Sequence, residues 1–379
     1  MIYFDNAATT YPKPDSVYKA LDYANRNLAF NSGRGEYKES VTGFDIIEET
    51  RFKIANLVST KASNVIFSSS ATESLNQIIN GMNISSGDTI YISPFEHNAV
   101  VRPLYLIKER KNIEIKILPF DKKTWLPEID KIKSEFILNN PKAVFISHIS
   151  NVTGYLVPYK DIFELAEKYG SVNVLDCSQS LGVINPKTEN VNYIVFAGHK
   201  SLYASFGIAG FIKLRDDELE VVKSGGTGSD SLNHYMPEII PYKYEAGSPN
   251  IVAVYGLNKA VEFIKQVDIY NHEKEIFQYL IKCLNELEGI HVYCPEDSSK
   301  CFGVVSINMD GYFSDELASI LYDDFGICVR AGYHCAPFVH DFIESKELRG
   351  TVRISLSYFS SKKEIDVLIH SLEEIKDEL

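Results

Sequence analysis

The sequence predicts an α/β protein with a large, mainly parallel α/β/α domain and a smaller α+β C-terminal domain. Two observations lead to this prediction. Between residues 64 and 213, short β-branched runs alternate with helical patterns, as happens when crossover helices join parallel strands. After Asn250 the alternation stops, and a long helical stretch and a few short strands follow.

The larger region contains seven runs that predict strands. They are NVIFSS from Asn64, DTIYIS from Asp88, IEIKILP from Ile113, KAVFISH from Lys142, VNVLD from Val172, VNYIVFA from Val191 and GIAGFIK from Gly207. Helices are predicted between them at 74–83, 99–111, 127–139 and 159–169.

The second region begins with residues 251–287, which have apolar residues at helical spacing and charges on the opposite face, and so predict one long helix. Short strands are predicted at 303–308, 328–331 and 351–356, and an amphipathic helix from Lys362 onward. We place the boundary near residue 260. The prediction is therefore a large domain at 13–260 and a small domain formed by 1–12 and 261–379.

Composition excludes several classes of protein. The net charge of −13 over 379 residues argues against a nucleic-acid-binding protein, which needs a basic surface to neutralise phosphates. No stretch approaches the roughly 20 apolar residues that span a bilayer, and the first residues do not resemble a signal peptide. We therefore expect a cytoplasmic protein that binds neither nucleic acid nor membranes.

The six cysteines include no CxxC pair, so neither a disulfide framework nor a zinc site is expected. Most of them are expected to be buried, unreactive thiols. Cys335 differs because His334 precedes it and Arg330 is close in sequence. A nearby cation favours the thiolate, which is the nucleophilic form of cysteine.

Lys200 follows the continuous apolar run VNYIVFA, so a buried strand would place it at the edge of the sheet. Burial penalises the ammonium form and favours the neutral amine, which is the form that attacks a carbonyl to make a Schiff base. Taken alone, the segment is equally consistent with a solvent-exposed loop lysine.

Two further segments favour a binding site at the same edge. Asp176 ends the apolar strand VNVLD, and a buried acid there needs a partner such as a protonated ring nitrogen. The small hydroxyl residues at 68–74 precede a predicted helix, whose N-terminal N–H groups can bind an anion. Thr72 could equally be only the helix N-cap.

The motifs YFDNAATT, ATES, EHN, NVTG, LDCSQS, GHK, AGSPN, RAGYHCAP and VRISLSYF occur in this order along nearly the whole chain. This ordered set resembles class V of the fold-type I pyridoxal 5'-phosphate (PLP) enzymes, specifically the cysteine desulfurase and selenocysteine lyase family. The RxGxHCxP form around Cys335 resembles the short-loop, Suf-type group of that family.

The resemblance implies roles for five residues around the cofactor ring. Lys200 holds PLP covalently, Asp176 pairs with the pyridine nitrogen, and Gln179 contacts the phenolic oxygen. His97 stacks on the ring and is a candidate proton shuttle. Asn151 lies near the substrate and the phenolic oxygen.

The resemblance also implies a phosphate site formed by Ala71, Thr72 and His199. Ser248 stands where the family usually has Thr and implies a phosphate contact from the neighbouring subunit, hence a homodimer with shared active sites. Ala197 departs from the pattern, because many members have Ser there. One phosphate contact is therefore expected to be missing.

On the substrate side, Arg353 matches the arginine that binds the substrate carboxylate, and Arg330, Asn151 and Arg34 are further substrate contacts that the resemblance implies. The implied reaction converts L-cysteine to L-alanine, with the sulfur captured as a persulfide on Cys335 and passed to a protein acceptor. Selenocysteine lyase, another class V lyase or aminotransferase, and a non-catalytic sulfur carrier remain alternatives.

The glycines of GGTGSDS, at 225–231, suggest a flexible loop at the dimer edge.

Overall fold

The computed structural model describes residues 1–33, 35–228 and 232–377, and these residues form three β-sheets and eleven α-helices. The strands are β1 (Ile2–Tyr3), β2 (Val65–Ser68), β3 (Thr89–Ile92), β4 (Glu114–Ile117), β5 (Pro141–Ser147), β6 (Val172–Asp176), β7 (Tyr193–Ala197), β8 (Ala209–Lys213), β9 (Ile290–Tyr293), β10 (Val304–Met309), β11 (Ile327–Cys328), β12 (Arg330–Gly332) and β13 (Thr351–Ser355). The helices are α1 (Asp15–Asn27), α2 (Lys38–Leu57), α3 (Ala71–Gly81), α4 (Asn98–Lys111), α5 (Ile129–Leu138), α6 (Lys160–Glu167), α7 (Ile251–Gln266), α8 (Ile269–Glu286), α9 (Ser314–Asp323), α10 (Pro337–Phe342) and α11 (Lys362–Asp377).

The large sheet has the strand order β2, β8, β7, β6, β5, β3, β4. Strands β7, β6, β5, β3 and β4 are parallel, whereas β8 is antiparallel to both β2 and β7. Strand β2 therefore points in the same direction as β7. The carboxyl ends of β2, β3, β5, β6 and β7 all lie along one edge of the sheet, where open α/β sheets bind their ligands.

The central strands of the large sheet are buried on both faces. In β7, Ile194 and Phe196 belong to one hydrophobic cluster and Tyr193 and Val195 to the other, since successive side chains point to opposite faces of a strand. Helices cover both faces, and for this reason the strand sequences are continuous apolar runs rather than alternating patterns.

A second, antiparallel sheet in the C-terminal region has the order β12, β13, β10, β9. The N-terminus joins this region, because β1 pairs in parallel with β11 and Asp5 forms an isolated bridge with Ser355 at the end of β13. The segment after β1 continues along the large domain, where the hydroxyl groups of Thr9 and Thr10 donate to the His199 carbonyl. The first ten residues thus connect the C-terminal region to the domain that contains the large sheet.

The α/β class with a mainly parallel sheet is confirmed, and each of the seven runs predicted between residues 64 and 213 forms a strand. The four predicted intervening helices are present, although α3 begins at Ala71 rather than residue 74 because Ser70 caps it. The sequence analysis did not identify α1 and α2, which pack against α7. Both present many side chains to solvent, and α2 has only a weak amphipathic pattern.

The single long helix predicted at 251–287 is wrong, because the structure has two helices there. Helix α7 ends at Gln266, Val267 is in an extended conformation, and Asp268 caps α8 by accepting a hydrogen bond from the Asn271 N–H. An Asp side chain satisfies a free N–H at a helix start, so it favours a new helix over continuation of the old one. Among the described residues, no helix is both long and apolar enough to cross a membrane.

One buried ion pair connects three parts of the large domain. Arg51 on α2 is 1% exposed, and its guanidinium binds both carboxylate oxygens of Glu245 at 2.7 and 3.1 Å. The same guanidinium donates to the Val65 carbonyl, and Glu245 accepts from the Phe67 N–H, so β2 is held by both partners. Glu245 immediately precedes AGSPN, the segment that contains Ser248.

We predict that Arg51→Ala lowers the free energy of unfolding by about 3–5 kcal/mol, because it leaves the Glu245 carboxylate without its cation in a largely buried site. Chemical denaturation of the variant and the parent measures this loss. Arg26→Ala is the matched control, since the Arg26–Asp22 pair is exposed and its removal should cause no measurable change. Equal effects of the two substitutions would contradict the prediction.

Candidate active site

A cleft of about 540 Å³ opens at the carboxyl edge of the large sheet, where the segments after β2, β3, β5, β6 and β7 meet. It contains eight of the residues that the sequence analysis selected. They are Ala71, Thr72, His97, Asn151, Asp176, Gln179, His199 and Lys200. Residues separated by more than 100 positions in sequence thus share one cavity because parallel strands place their ends side by side.

Lys200 lies at the centre of the charged groups of this cleft. Burial lowers the pKa of its ammonium group, and the nearby cations Arg353 and Arg330 lower it further, while Asp176 and Cys335 act in the opposite direction. The net shift is downward, toward a neutral amine. This is the form that the sequence analysis expected, and the cause is the predicted one.

Asp176 forms the floor of the cleft and is 8% exposed. It ends β6 directly opposite Ser147 on β5, and its Oδ1 accepts hydrogen bonds from the N–H and the hydroxyl of Ser178 at 2.9 and 2.5 Å. These two donors hold the carboxylate in one orientation. A buried carboxylate held in this way can bind a cationic N–H group of a ligand.

His97 caps α4, and its Nδ1 accepts a hydrogen bond from the Ala99 N–H at 3.0 Å. Because Nδ1 is an acceptor, the ring proton is on Nε2. Burial lowers the pKa of His97 to about 3, and repulsion from Lys200 and Arg330 contributes. The imidazole is therefore neutral in solution near pH 7 and offers a flat, uncharged ring to the cleft.

The opposite end of the cleft is suited to an anion. The N-terminus of α3 opens there, and its N-cap is Ser70, whose hydroxyl accepts from the Glu73 N–H at 3.1 Å. The alternative that Thr72 is the N-cap is wrong, which leaves the Thr72 hydroxyl available to a ligand. His199 has a buried Nδ1 without a hydrogen-bond partner, and its ring stacks on Phe206 at 4.5 Å.

Cys335 lies in the four-residue connection between β12 and α10, and this connection is anchored beside the cleft. The Asn151 amide donates to the His334 carbonyl at 2.8 Å, and the Asn98 N–H donates to the Cys335 carbonyl at 2.6 Å. His334 and Cys335 have φ angles of 46° and 56°, which are uncommon for residues with a side chain. Hydrogen bonds from two elements maintain this strained turn.

The neighbours of the Cys335 thiol agree only partly with the sequence analysis. Arg330 lies as predicted, with Nη2 3.6 Å from Sγ. His334, which its sequence position made a potential base, is a weak one: burial lowers its pKa well below the ordinary value, and its Nε2 binds the carbonyl and hydroxyl of Thr351, each at 3.0 Å. Arg330 is therefore the neighbour that supplies positive charge to Cys335.

Arg353 on β13 is 1% exposed and makes two contacts with neighbouring elements. Its Nη2 lies 2.5 Å from Asp5, and its Nη1 donates to the Asn151 carbonyl at 3.0 Å. Its Nε is buried and has no partner. The guanidinium is therefore held in place by protein groups.

The outcome is different for three of the predicted residues. Gln179 reaches the cleft, but its amide also donates to the Ala7 carbonyl at 2.8 Å. Ser248 is exposed and lines an adjacent cavity of about 1410 Å³, outside the cleft of its own chain. Arg34 lies outside the described residues, as do residues 229–231 of the GGTGSDS segment.

The model of the aminotransferase class-V family matches residues 2–368. The chain belongs to this family.

Its class V relatives include a probable cysteine desulfurase from Halalkalibacterium halodurans, which is 30% identical over an alignment that covers 100% of this chain and 93% of the relative. A probable cysteine desulfurase from Methanothermobacter thermautotrophicus is 28% identical, with 99% of this chain and 94% of the relative covered. The apo structure of a cysteine desulfurase from Thermococcus onnurineus has a TM-score of 0.90 at 27% identity and covers 100% of this chain and 95% of its own.

The sequence analysis missed several residues that shape this class V site. Asp5 pairs with Arg353, Lys13 donates to the His199 carbonyl at 2.8 Å, and Ser178 orients Asp176. Asp5 and Ser178 stand inside the motifs YFDNAATT and LDCSQS, so the motifs contained the signal. Across the described residues, no group of three or more His, Cys, Asp or Glu side chains could hold a metal ion.

Glu96 is a further missed residue, buried directly behind the class V cleft. Its Oε1 accepts from the Ser93 hydroxyl and the Ser147 N–H, each at 2.6 Å, and its Oε2 accepts from the Ser147 hydroxyl at 3.0 Å. Burial raises the pKa of Glu96 from 4.5 to about 7, and the charge of Asp176 acts in the same direction.

A carboxyl whose pKa is higher in the folded state binds its proton more tightly when folded. Its contribution to stability therefore falls as pH rises from about 4.5 to about 7. We predict that Glu96→Gln, which cannot ionise, gains up to about 3 kcal/mol relative to the parent across this range. Denaturation curves at pH 5, 6, 7 and 8 measure the difference. Glu164→Gln, at an exposed position on α6, is the control, and a pH-independent difference for Glu96→Gln would refute the prediction.

We also predict that Cys335 reacts with iodoacetamide before Cys177 and Cys301, whose burial raises their pKa values. Arg330→Ala should slow alkylation of Cys335 severalfold, because the guanidinium attracts the thiolate. Mass spectrometry of peptides from timed reactions measures each rate. Arg349→Ala, which removes an exposed guanidinium, should leave the Cys335 rate unchanged. An unaltered rate in Arg330→Ala would show that this cation does not act on the thiol.

Proposed function

We propose that this chain is a PLP-dependent cysteine desulfurase that converts L-cysteine to L-alanine and holds the sulfur as a persulfide on Cys335. The observation that carries the proposal is the closeness of two reactive groups: Lys200 lines the cleft, and Cys335 is near enough to raise the pKa of the Lys200 ammonium. Lys200 ends the segment after β7, and the Cys335 turn is bonded to Asn98, the residue after His97. The names of the class V relatives support the same reaction.

The residues of the cleft fit PLP by their chemistry. A fixed carboxylate, Asp176, stands at one end, and a helix N-terminus with the unpartnered Nδ1 of His199 stands at the other. These groups would receive the pyridine N–H and the phosphate, while Lys200 carries the covalent link. His97 would cover one face of the ring. When bound, PLP withdraws electrons from the substrate Cα.

The remaining phosphate contacts belong to the same proposal. Ala71 and Thr72, in the first turn of α3, would provide backbone and hydroxyl donors. Ala197 ends β7 in the wall of the cleft, and its methyl group supplies no hydrogen bond where many relatives of this type have Ser. Ser248 of a second subunit would complete the phosphate site. This contact is the reason for proposing a homodimer, because Ser248 lies outside the cleft of its own chain.

Lys200 moves the proton that the reaction requires. Burial lowers its pKa, which favours the amine form of Nζ that can accept the proton from the substrate Cα. The negative charge of Asp176 opposes the lowering of the Lys200 pKa. Lys200 can therefore also bind the proton and return it. Gln179 and Asn151 would contact the ring oxygen and the substrate, and both side chains are held by carbonyl groups of neighbouring segments.

Two arginines orient the substrate. Arg353 would bind the substrate carboxylate through its guanidinium, whose plane Asp5 and the Asn151 carbonyl keep fixed. Arg330 is close enough to Cys335 to stabilise the thiolate, and it would also contact the substrate. Arg34 is a further substrate contact that the sequence suggests.

Cys335 receives the sulfur. Its thiolate attacks the substrate sulfur, so that an S–S bond forms as the Cβ–S bond breaks, and the electrons of the broken bond return to the carbon that becomes the alanine methyl group. The short connection between β12 and α10 supports assignment to the Suf-type group. Such a site requires a protein acceptor that takes the persulfide sulfur.

The broader assignments complete the proposal. The two domains would comprise 13–260 and 1–12 with 261–379, in agreement with the separation of the large sheet from the C-terminal sheet. We also propose that the enzyme is cytoplasmic, and its acidic composition favours solubility.

We predict that the purified protein absorbs visible light through PLP and releases alanine from L-cysteine. Lys200→Ala should lose this absorbance, because the covalent link is absent. Cys335→Ser should keep the absorbance but lose alanine release. Alanine and sulfide assays with L-cysteine and L-selenocysteine, combined with absorption spectra, measure these effects.

Cys294→Ser is the matched control, because Cys294 follows β9 and is remote from the cleft in the fold. It should retain full activity. If Cys335→Ser releases alanine from L-cysteine at the parent rate, the desulfurase mechanism is wrong. If that variant loses turnover of cysteine but keeps turnover of selenocysteine, the enzyme is a selenocysteine lyase.

A further inference from the structure

The hydroxyl group of Tyr203 lies behind the active site and is not explained by the chemistry above. Tyr203 is 1% exposed and follows Lys200 by three residues. Its N–H donates to the Lys200 carbonyl at 2.8 Å, and its φ angle of 57° ends the turn that carries the lysine. The position of the Tyr203 side chain is therefore coupled to that of Lys200 through one tight turn.

The same hydroxyl connects two elements of the C-terminal region. It donates to Oε1 of Glu273 on α8 at 2.6 Å and accepts from the Tyr358 N–H at 2.7 Å. Tyr358 follows Arg353 by five residues, just beyond the end of β13. One buried oxygen atom thus joins the Lys200 turn to the segment that follows β13, the strand of Arg353.

Glu273 makes this connection stable. Its side chain is 6% exposed and lines a small cavity of about 400 Å³ behind the cleft, together with Tyr203 and Gln179. Burial raises the pKa of Glu273 to about 7, and the hydrogen bond from Tyr203 opposes this rise. Removing the Tyr203 hydroxyl would take away the hydrogen bond that it makes to the buried Glu273 carboxyl and the one that it accepts from the Tyr358 N–H, which is unfavourable for both groups.

We propose that Tyr203, held by Glu273, is a positioning residue that sets the spacing between the Lys200 amine and the Arg353 guanidinium. This inference deepens the proposed function and rests on it. Arg353 binds the carboxylate of the amino acid, and Lys200 takes the proton from the adjacent carbon. The two groups must therefore stand at a fixed separation, to which the rate of proton transfer is sensitive.

The decisive variant is Tyr203→Phe, which keeps the ring and its packing against Phe263 but removes the hydroxyl. We expect kcat for alanine release from L-cysteine to fall about tenfold with little change in KM. Arg353 would still bind the substrate carboxylate, but the Lys200 amine would no longer stand at the correct distance from it. Exchange of the α-proton of L-alanine in D₂O should fall by the same factor. This exchange does not involve Cys335.

Glu273 provides the second pair of variants. Glu273→Gln keeps an oxygen that accepts from Tyr203 and should retain kcat, whereas Glu273→Ala should lose about as much as Tyr203→Phe. Tyr91→Phe is the matched control, because Tyr91 is fully buried on β3 and its hydroxyl donates to the carbonyls of Glu135 and Asn139. It should lose stability without a change in kcat.

Hydrogen exchange of the cofactor-free protein tests the connection without any turnover. Tyr203→Phe should accelerate amide exchange in residues 198–206 and 351–360, and Tyr91→Phe should not. Unchanged kcat and α-proton exchange in Tyr203→Phe would overturn the proposal, as would unchanged amide exchange. If the parent protein releases no alanine, the proposed function fails, whereas the amide exchange still decides whether the hydroxyl joins the two segments.

Discussion

The whole site depends on removing the Lys200 ammonium group from water. Burial favours the neutral amine, and two arginines nearby favour it further, while Asp176 keeps the shift within limits. Several parallel strands end at one edge of the large sheet. Backbone and side chains of the segments that follow them surround the cleft and take the place of solvent there. A lysine in a surface loop with the same sequence neighbours would remain charged.

A second constraint is that Cys335, which we propose to be the nucleophile, must be brought beside this cleft from another part of the chain. The turn at His334 and Cys335 has left-handed backbone conformations at both residues, and it persists because Asn151 and Asn98 bind its two carbonyl groups. Asn98 is the first residue of α4 and directly follows His97. The start of this helix therefore positions both the His97 imidazole and the turn that contains the Cys335 thiol. Arg330 adds positive charge next to the sulfur.

Polar contacts between distant segments give the site its rigidity. Asp5 from the N-terminus fixes Arg353, the Ser178 hydroxyl fixes Asp176, and the Tyr203 hydroxyl connects the lysine turn to the segment after β13. Each of these contacts is buried or nearly so, and a buried polar group without its partner is unfavourable. The catalytic groups are consequently held by a network whose members lie throughout the sequence.

The sequence by itself determined the strands of the large sheet and the ordered motifs around Lys200, Asp176 and Cys335, because these depend on local apolar runs and on residue types that chemistry requires. It did not determine the break between α7 and α8, where one capping aspartate outweighs a continuous helical pattern. Nor did it determine the neutrality of His334, the pairing of Asp5 with Arg353, or the burial of Glu96. Tertiary structure decided these features, since desolvation and hydrogen bonding between remote segments arise only when strands and loops are brought together.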